Sequence, residues 1–244
     1  MNLPLLLYET LATIQMKNFI FILIGFLCLN TNAQLINDES YLDLEFLKFK
    51  TDLLHCVIQK DKEKLKNFLA DRVFESKDTC GYPGCTKDEF IKYYFDESSE
   101  ESWKDMLTVL RFGFSRIEDE NSNNIIPHDK IIFQGPSYLK KIDTDNEIIV
   151  LGENVNIREK PSLKGTIIRQ SSFEKFSCDC NIITMKKSTY QTIDGINWLE
   201  IKLKSGQIGY ISADLTSYSV IKEMTIAKIN GKWKIISFFN PPGC

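Results

Sequence analysis

The sequence is short of histidine, of long apolar runs and of surplus basic charge. It has two histidines, His55 and His128, in 244 residues. A cysteine peptidase needs a free thiol with an imidazole beside it. His55 adjoins Cys56, but successive side chains on a helix diverge by about 100°, so the pair forms no dyad. His128 follows Pro127 and has no evident partner as acid, base or ligand, so it reads as exposed and inert. Lysine and arginine total 30 against 33 acidic residues, a net charge of −3, so there is no basic field to hold nucleic acid. The acidic runs "DESSEE" (96–101) and "EDE" (118–120) read as solvated stretches. Neither has the converging oxygen spacing of a calcium loop, and neither marks the apolar pocket that paired glycosidase carboxylates occupy. The chain therefore reads as a protein without catalytic residues, metal or cofactor.

The main apolar run, Phe19–Leu29, is shorter than the roughly 20 residues that span a bilayer. It follows Met16-Lys17 and leads to the small residues Thr31 and Ala33. This is the layout of a secretory signal over 16–33, with cleavage after Ala33 and with 1–15 read as a start-site artefact. The alternatives are an N-terminal membrane anchor and lipidation at Cys28. Leu27 stands where a lipidated cysteine would be preceded by a small residue, so a soluble secreted or periplasmic chain with no stable membrane span is the expectation.

Six cysteines follow the signal: Cys56, Cys80, Cys85, Cys178, Cys180 and Cys244. An even number in an exported chain reads as disulfides. Cys80–Cys85 is the expected local pair, because Gly and Pro in "CGYPGC" favour a reversing turn. The other pairings stay open among the 15 connectivities that six cysteines allow. Zinc held by Cys178 and Cys180 with Cys80 and Cys85 is the competing reading, and the spacing fits no structural zinc pattern.

Residues 34–145 read as mainly helical. "LDLEFLKFKTDLLHCVIQ" sets Leu42, Phe46, Phe49, Leu53 and Val57 on one stripe, and "KDKEKLKNFLADRVF" predicts a second short helix. Thr86 with Glu89 has capping-box spacing before a helix carrying Phe90, Ile91, Tyr94 and Phe95. Trp103, Met106, Leu107 and Leu110 mark another helix, ended by Gly113. Short strands are expected in "RFGFSRI" and "HDKIIFQG". From Glu147 the period shifts to two, in short runs separated by Gly, Pro and Asp turns, as in a small barrel. The final stretch, 218–244, reads as a β-hairpin turning at Asn230-Gly231. An isolated hairpin is marginal, so this one packs on the N-terminal region or extends the barrel.

Within 146–217 the ordered series Asn156-Ile157-Arg158 with Pro161, Gly165 to Ile168, Gly195 with Trp198, and Gly206-Gln207-Ile208-Gly209-Tyr210-Ile211 resembles a bacterial SH3-like (SH3b) domain. The interval 173–194 is longer than that pattern. The chain as a whole is similar to exported proteins of Bacteroidetes type, in which a helical region precedes such a barrel and a "NGKWKI" hairpin ends the chain. The resemblance implies an α+β fold and an envelope compartment. Val155 and Ile157 are expected to face inward, with Asn156 and Arg158 outward or bracing a loop. Domains of this kind often bind cell-wall peptide or protein segments. The function expected is thus that of a non-enzymatic binding or scaffolding module whose partner is peptidoglycan or an envelope protein. Tyr190, Trp198, Tyr210 and Tyr218 are the candidate groove aromatics. The alternatives are a cell-wall hydrolase and a small-ligand-binding α+β domain with the barrel inserted.

Overall fold

A computed structural model describes residues 36–74, 80, 83–96, 99–119, 126–143, 146–178, 190–219 and 222–239. The expected signal, Cys180 and Cys244 lie outside these, and Tyr190 is described by its backbone alone. None of the helices described is long and apolar enough to cross a membrane.

The fold is α+β. Helix α1 (Leu44–Gln59) starts where the Asp43 carboxylate accepts from the Phe46 amide at 2.9 Å, satisfying a helix-end donor. It ends at Lys60, whose φ of 53° is left-handed. Helix α2 (Lys62–Leu65) is one turn. The residues after it depart from the helical expectation. Leu69–Phe74 form strand β1, with Leu69 and Val73 turned to the main core and Ala70 to the opposite face of the sheet. The apolar spacing here fitted a helix, and sheet pairing decided otherwise.

Strand β2 (Cys85–Thr86) pairs antiparallel with β1. The expected capping box is present: the Glu89 amide donates to Thr86 Oγ1 at 3.3 Å and the Thr86 amide to Glu89 Oε2 at 2.8 Å. It opens α3 (Lys87–Ile91), which continues as a π turn over Lys92–Asp96. Helix α4 (Ser99–Arg111) follows, and Gly113, with φ of 71°, turns the chain into strand β3 (Ser115–Glu118). A side chain at Gly113 would press on Asp38, whose Cβ lies 2.6 Å from where a Cβ would stand.

Strand β4 is Ile131–Gly135, β12 is Glu223–Ile229 and β13 is Lys232–Phe239. The first sheet runs β2-β1-β13-β12-β4-β3, with β1 and β13 parallel. The C-terminal hairpin therefore fills the middle of a sheet whose other strands come from the N-terminal region. That region supplies four strands as well as its helices. Asn230 and Gly231 both have positive φ, 49° and 74°, as the tight hairpin turn requires.

One face of this sheet carries the helices. Phe46, Leu53 and Val57 of α1 and Met106 and Leu110 of α4 bury against Phe133, Met224, Ile226, Ile235 and Phe238. The predicted stripe holds for Phe46, Leu53 and Val57, while Phe49 is half-buried and Leu42 exposed.

The second sheet comprises β5 (Glu147–Ile149), β6 (Val155–Arg158), β7 (Ile167–Ser171), β8 (Lys175–Ser177), β9 (Tyr190–Ile193), β10 (Ile196–Lys202) and β11 (Ile208–Ser212). Its order is β5-β8-β10-β11-β6-β7, with β9 on β10. It closes on its own core, centred on Ile148, Val155, Ile157, Phe176, Leu199, Ile201 and Ile211. Gly209 is needed for close approach: a Cβ there would stand 2.6 Å from Ile157 Cγ2.

Cys80 and Cys85 are disulfide-bonded, pinning the β1–β2 end of the first sheet. Cys178 is disulfide-bonded too. Cys56 is not: it is a free thiol, buried on α1, where it donates to the Asp61 carbonyl at 3.3 Å. This corrects the expectation that Cys56 joins a disulfide. Helix geometry turns it into the core, and burial pushes its thiol up to about 11. Closing a loop as short as Cys80–Cys85, five residues apart, contributes about 2 kcal/mol. The double substitution C80A/C85A is expected to lower the unfolding free energy by that amount in urea titration. An unchanged midpoint would show that β2 holds without the bond.

Candidate functional site

Of the candidate aromatics, Trp198, Tyr210 and Tyr218 do not assemble into one groove. Trp198 is 2% exposed, which corrects its assignment as a surface ligand contact. Its register places it on the face of β10 opposite Leu199 and Ile201, but that face is covered at this point. Tyr190 pairs in register with Leu199 on β9. Tyr210 is half-buried on β11, opposite Glu200 and Arg158 in the adjoining strands, and its hydroxyl donates to Glu200 Oε2 at 3.1 Å. Burial and then the Glu200 carboxylate push the Tyr210 phenol up. Tyr218 lies away from these, beyond the end of β11, and lines a cleft against α4 with Asp105, Asp214, Lys104 and Lys222. Acids and bases alternate around that cleft, so it favours no ligand charge.

The opening stretch of the barrel pattern is structural. Val155 and Ile157 are buried and Asn156 and Arg158 half-buried. Arg158 donates to the Gly165 carbonyl at 2.7 Å, bracing the turn that contains Pro161.

A more site-like concavity lies on the face of the first sheet away from the helices. It has a volume of about 600 Å³, within the range of small-molecule pockets. Strand alternation builds it. On β12, Met224 and Ile226 point into the helix-facing core, so Thr225 and Ala227 point to the other side. Thr225 pairs with Gln134 of β4 and with Ser237 of β13, so three polar side chains meet on the cavity floor. Phe74, Ile117, Ile126, Ile132 and Ile236 supply apolar wall, and Glu118, Asp119 and His128 stand at one end.

His128 is not the inert, exposed residue that its sequence context predicts. Its side chain is 6% exposed, with Nε2 3.3 Å from Asp119 Oδ2, and Nδ1 lies 2.6 Å from the Ile126 carbonyl. That carbonyl can only accept, so Nδ1 carries the proton. Nε2 then faces a carboxylate without making a hydrogen bond. His55, by contrast, is exposed on α1.

Behind Gln134 sits Glu223, which is buried and accepts a hydrogen bond from Gln134 Nε2. Burial holds its carboxyl above the usual range, against the opposing effects of Gln134 and Lys140. In the folded state it keeps its proton to higher pH than it does unfolded. Its contribution to stability therefore falls as pH rises from the ordinary glutamate range, about 4.3, through the raised folded value. Glu223→Gln is expected to raise the melting temperature at neutral pH and to leave it unchanged near pH 3. A gain that does not vary with pH in a thermal melt series would rule out this linkage.

The signal for this site was present in the sequence as single polar residues interrupting apolar strands: Gln134 in "IIFQG", Thr225 in "EMTIA" and Ser237 in "KIISFF". Only the pairing of β4, β12 and β13 shows that they share a face. Among the described residues no three His, Cys, Asp or Glu side chains converge as metal ligands would. No protein-family model matches the chain, and no curated protein or solved structure matches it.

Proposed function

We propose that this chain is an exported, non-enzymatic binding protein that holds a small ligand on the open face of its first sheet. In this reading the second sheet is an SH3-like barrel inserted between β4 and β12. One observation carries the proposal: the floor of Gln134, Thr225 and Ser237 within walls of Phe74 and isoleucine. Binding pockets commonly combine such apolar walls with a few fixed polar groups. Export fits the disulfide at Cys80–Cys85, since such bonds persist in oxidising compartments. The test is titration with N-phenyl-1-naphthylamine, a neutral apolar fluorophore, against the protein and against Ile132→Trp, which fills the cavity. Saturable binding lost in a variant of unchanged melting temperature is expected. Equal binding by both proteins would refute the assignment.

A second reading is contact with peptidoglycan or an envelope protein through the barrel. It is favoured by Tyr210 lying beside Glu200 and Arg158 on one face. Purified sacculi should then retain the protein and release Tyr210→Ala. Failure of the wild type to sediment with them would dispose of the wall partner.

A further inference from the structure

Helix α1 carries a second apolar stripe beside its buried one. Leu44, Leu47, Thr51, Leu54 and Ile58 follow one another at alternating intervals of three and four. At about 100° per residue they fall within an arc of roughly 80°. Phe46, Leu53, Cys56 and Val57, which face the core, occupy a separate arc. The second stripe looks outward: Leu44 is 78% and Ile58 62% exposed, Leu47 is exposed too, and Leu54 is half-buried. Thr51 donates its hydroxyl to the Leu47 carbonyl at 2.9 Å, so its polar atom is satisfied within the helix. Tyr41 and Leu42, in the turn Glu39–Leu42 that leads into α1, are exposed as well. The stripe and this turn offer apolar surface on the order of 500 Å², the size at which a monomer's exposed patch is often functional. A stable pair covers roughly 800 Å² on each partner, which the stripe approaches once the stem of Lys48 at its rim is included.

The spacing identifies the partner. The stripe is close to symmetric about Thr51, with Leu44 and Ile58 seven residues to either side and Leu47 and Leu54 four before and three after. Two copies of α1 running antiparallel about a two-fold axis therefore set each Leu44 against Ile58 of the other copy and each Leu47 against Leu54. Alternation of three and four is the spacing of a helix-pair seam, and a two-fold contact requires a self-complementary surface. Charge does not oppose the approach. Lys48 pairs with Asp52 at 2.8 Å, Lys60 with Glu100 at 2.7 Å and Glu45 with Lys228 at 2.7 Å, all within one chain. A lipid surface would call for a basic excess beside the apolar stripe, and the polar face of α1, made by Glu45, Lys48, Asp52, His55 and Gln59, has none.

We infer that the protein pairs with a second copy of itself through an antiparallel α1–α1 seam. Helix α1 packs on the face of the first sheet opposite the cavity, so the seam leaves the ligand face open and stands or falls independently of the ligand reading.

Sedimentation equilibrium of the purified protein over a concentration series tests the seam. The wild type is expected to approach twice the chain mass. L44E/I58E sets glutamates opposite one another and is expected to raise the dissociation constant at least tenfold. L44E/I58K sets each glutamate opposite a lysine of the other copy only if the helices are antiparallel, and is expected to bring the constant back to within about threefold of the wild type. Both positions are exposed, so both variants are expected to keep the near-ultraviolet circular dichroism of the wild-type fold. A wild type that sediments as a monomer throughout the series would overturn the inference, as would a dimer indifferent to L44E/I58E. A dimer lost in both variants would overturn the antiparallel register. A monomer that floats with phosphatidylglycerol vesicles would overturn the pairing and make the stripe a lipid contact.

Discussion

Phe46→Ala is expected to lower the unfolding free energy by about 3–5 kcal/mol, the range for deleting a fully buried phenyl ring. Phe46 is the hub between α1 and the first sheet. Its ring stacks on Phe133 with centroids 3.6 Å apart and planes 6° from parallel. It meets the edges of Phe114 at 5.4 Å and Trp233 at 5.1 Å. Those partners come from three separate parts of the chain: the turn after α4, strand β4 and the C-terminal hairpin. Removing the ring leaves a cavity that three independently anchored aromatics cannot all collapse into, so the upper part of the range is expected. Phe46→Leu keeps most of the volume and should cost markedly less. Chemical denaturation of the two variants measures the difference. A loss below about 1 kcal/mol for Phe46→Ala would mean that the hairpin and α1 are not coupled through this residue.

Asp38→Asn is expected to cost about 2 kcal/mol, from the loss of a charge-assisted hydrogen-bond centre. The Asp38 carboxylate accepts from the Ser40 amide at 3.3 Å, from the Phe114 amide at 3.1 Å, and from the ammonium of Lys50 on α1. It thus ties the segment before α1 to the entry of β3, 76 residues on. Lys50 is 13% exposed, so losing its counter-ion leaves a largely desolvated cation. Asp38 itself is 38% exposed, and solvent screening keeps the effect below that of a fully buried pair.

Partial burial alone would raise the Asp38 carboxyl. The opposing effects of Lys50, Ser40 and the Phe114 amide outweigh it and hold the group below the usual range. A carboxyl depressed in the folded state contributes stability that is present above its unfolded pKa, near 3.9. That contribution is lost as pH falls through the folded value. The wild type should therefore lose stability on this acid limb, and Asp38→Asn should be flatter there. The gap between the two should be full at pH 6 and narrow toward pH 2, as followed by melting temperature. A gap independent of pH would assign the effect to packing rather than to charge.

Local chemistry was legible wherever neighbouring residues settle the outcome. Asp43, Thr86 with Glu89, Gly113, and Asn230-Gly231 each act within a few residues of themselves, through caps and positive-φ turns, and each appears where its residue type asks for it. The alternation of Val155 and Ile157 against Asn156 and Arg158 follows from strand period alone. The Cys80–Cys85 bond is equally local. The stretch "LADRVF" shows the limit. Its leucine and valine spacing suits a helix, but β2 and β13 on either side make it a strand, because ladder hydrogen bonds from remote segments outweigh a weak local propensity.

The side chains of the candidate site were on view in the sequence, but their association was not. Trp198 reads as half-exposed from its strand parity, and it is buried because that face is covered where it lies. His128 reads as inert because its partner, Asp119, is nine residues away across a bend. Gln134, Thr225 and Ser237 span more than a hundred positions and meet only because the last hairpin enters the centre of the first sheet. The sequence by itself determined the α+β character, the caps and turns, the alternating strands of the second sheet and the local disulfide, since short-range sterics and hydrogen bonding decide these. The tertiary structure alone decided which sheet the C-terminal hairpin joins, which aromatics are buried and which polar residues share a cavity. Those depend on strand pairing between distant segments, where one residue of register moves a side chain from one face of the sheet to the other.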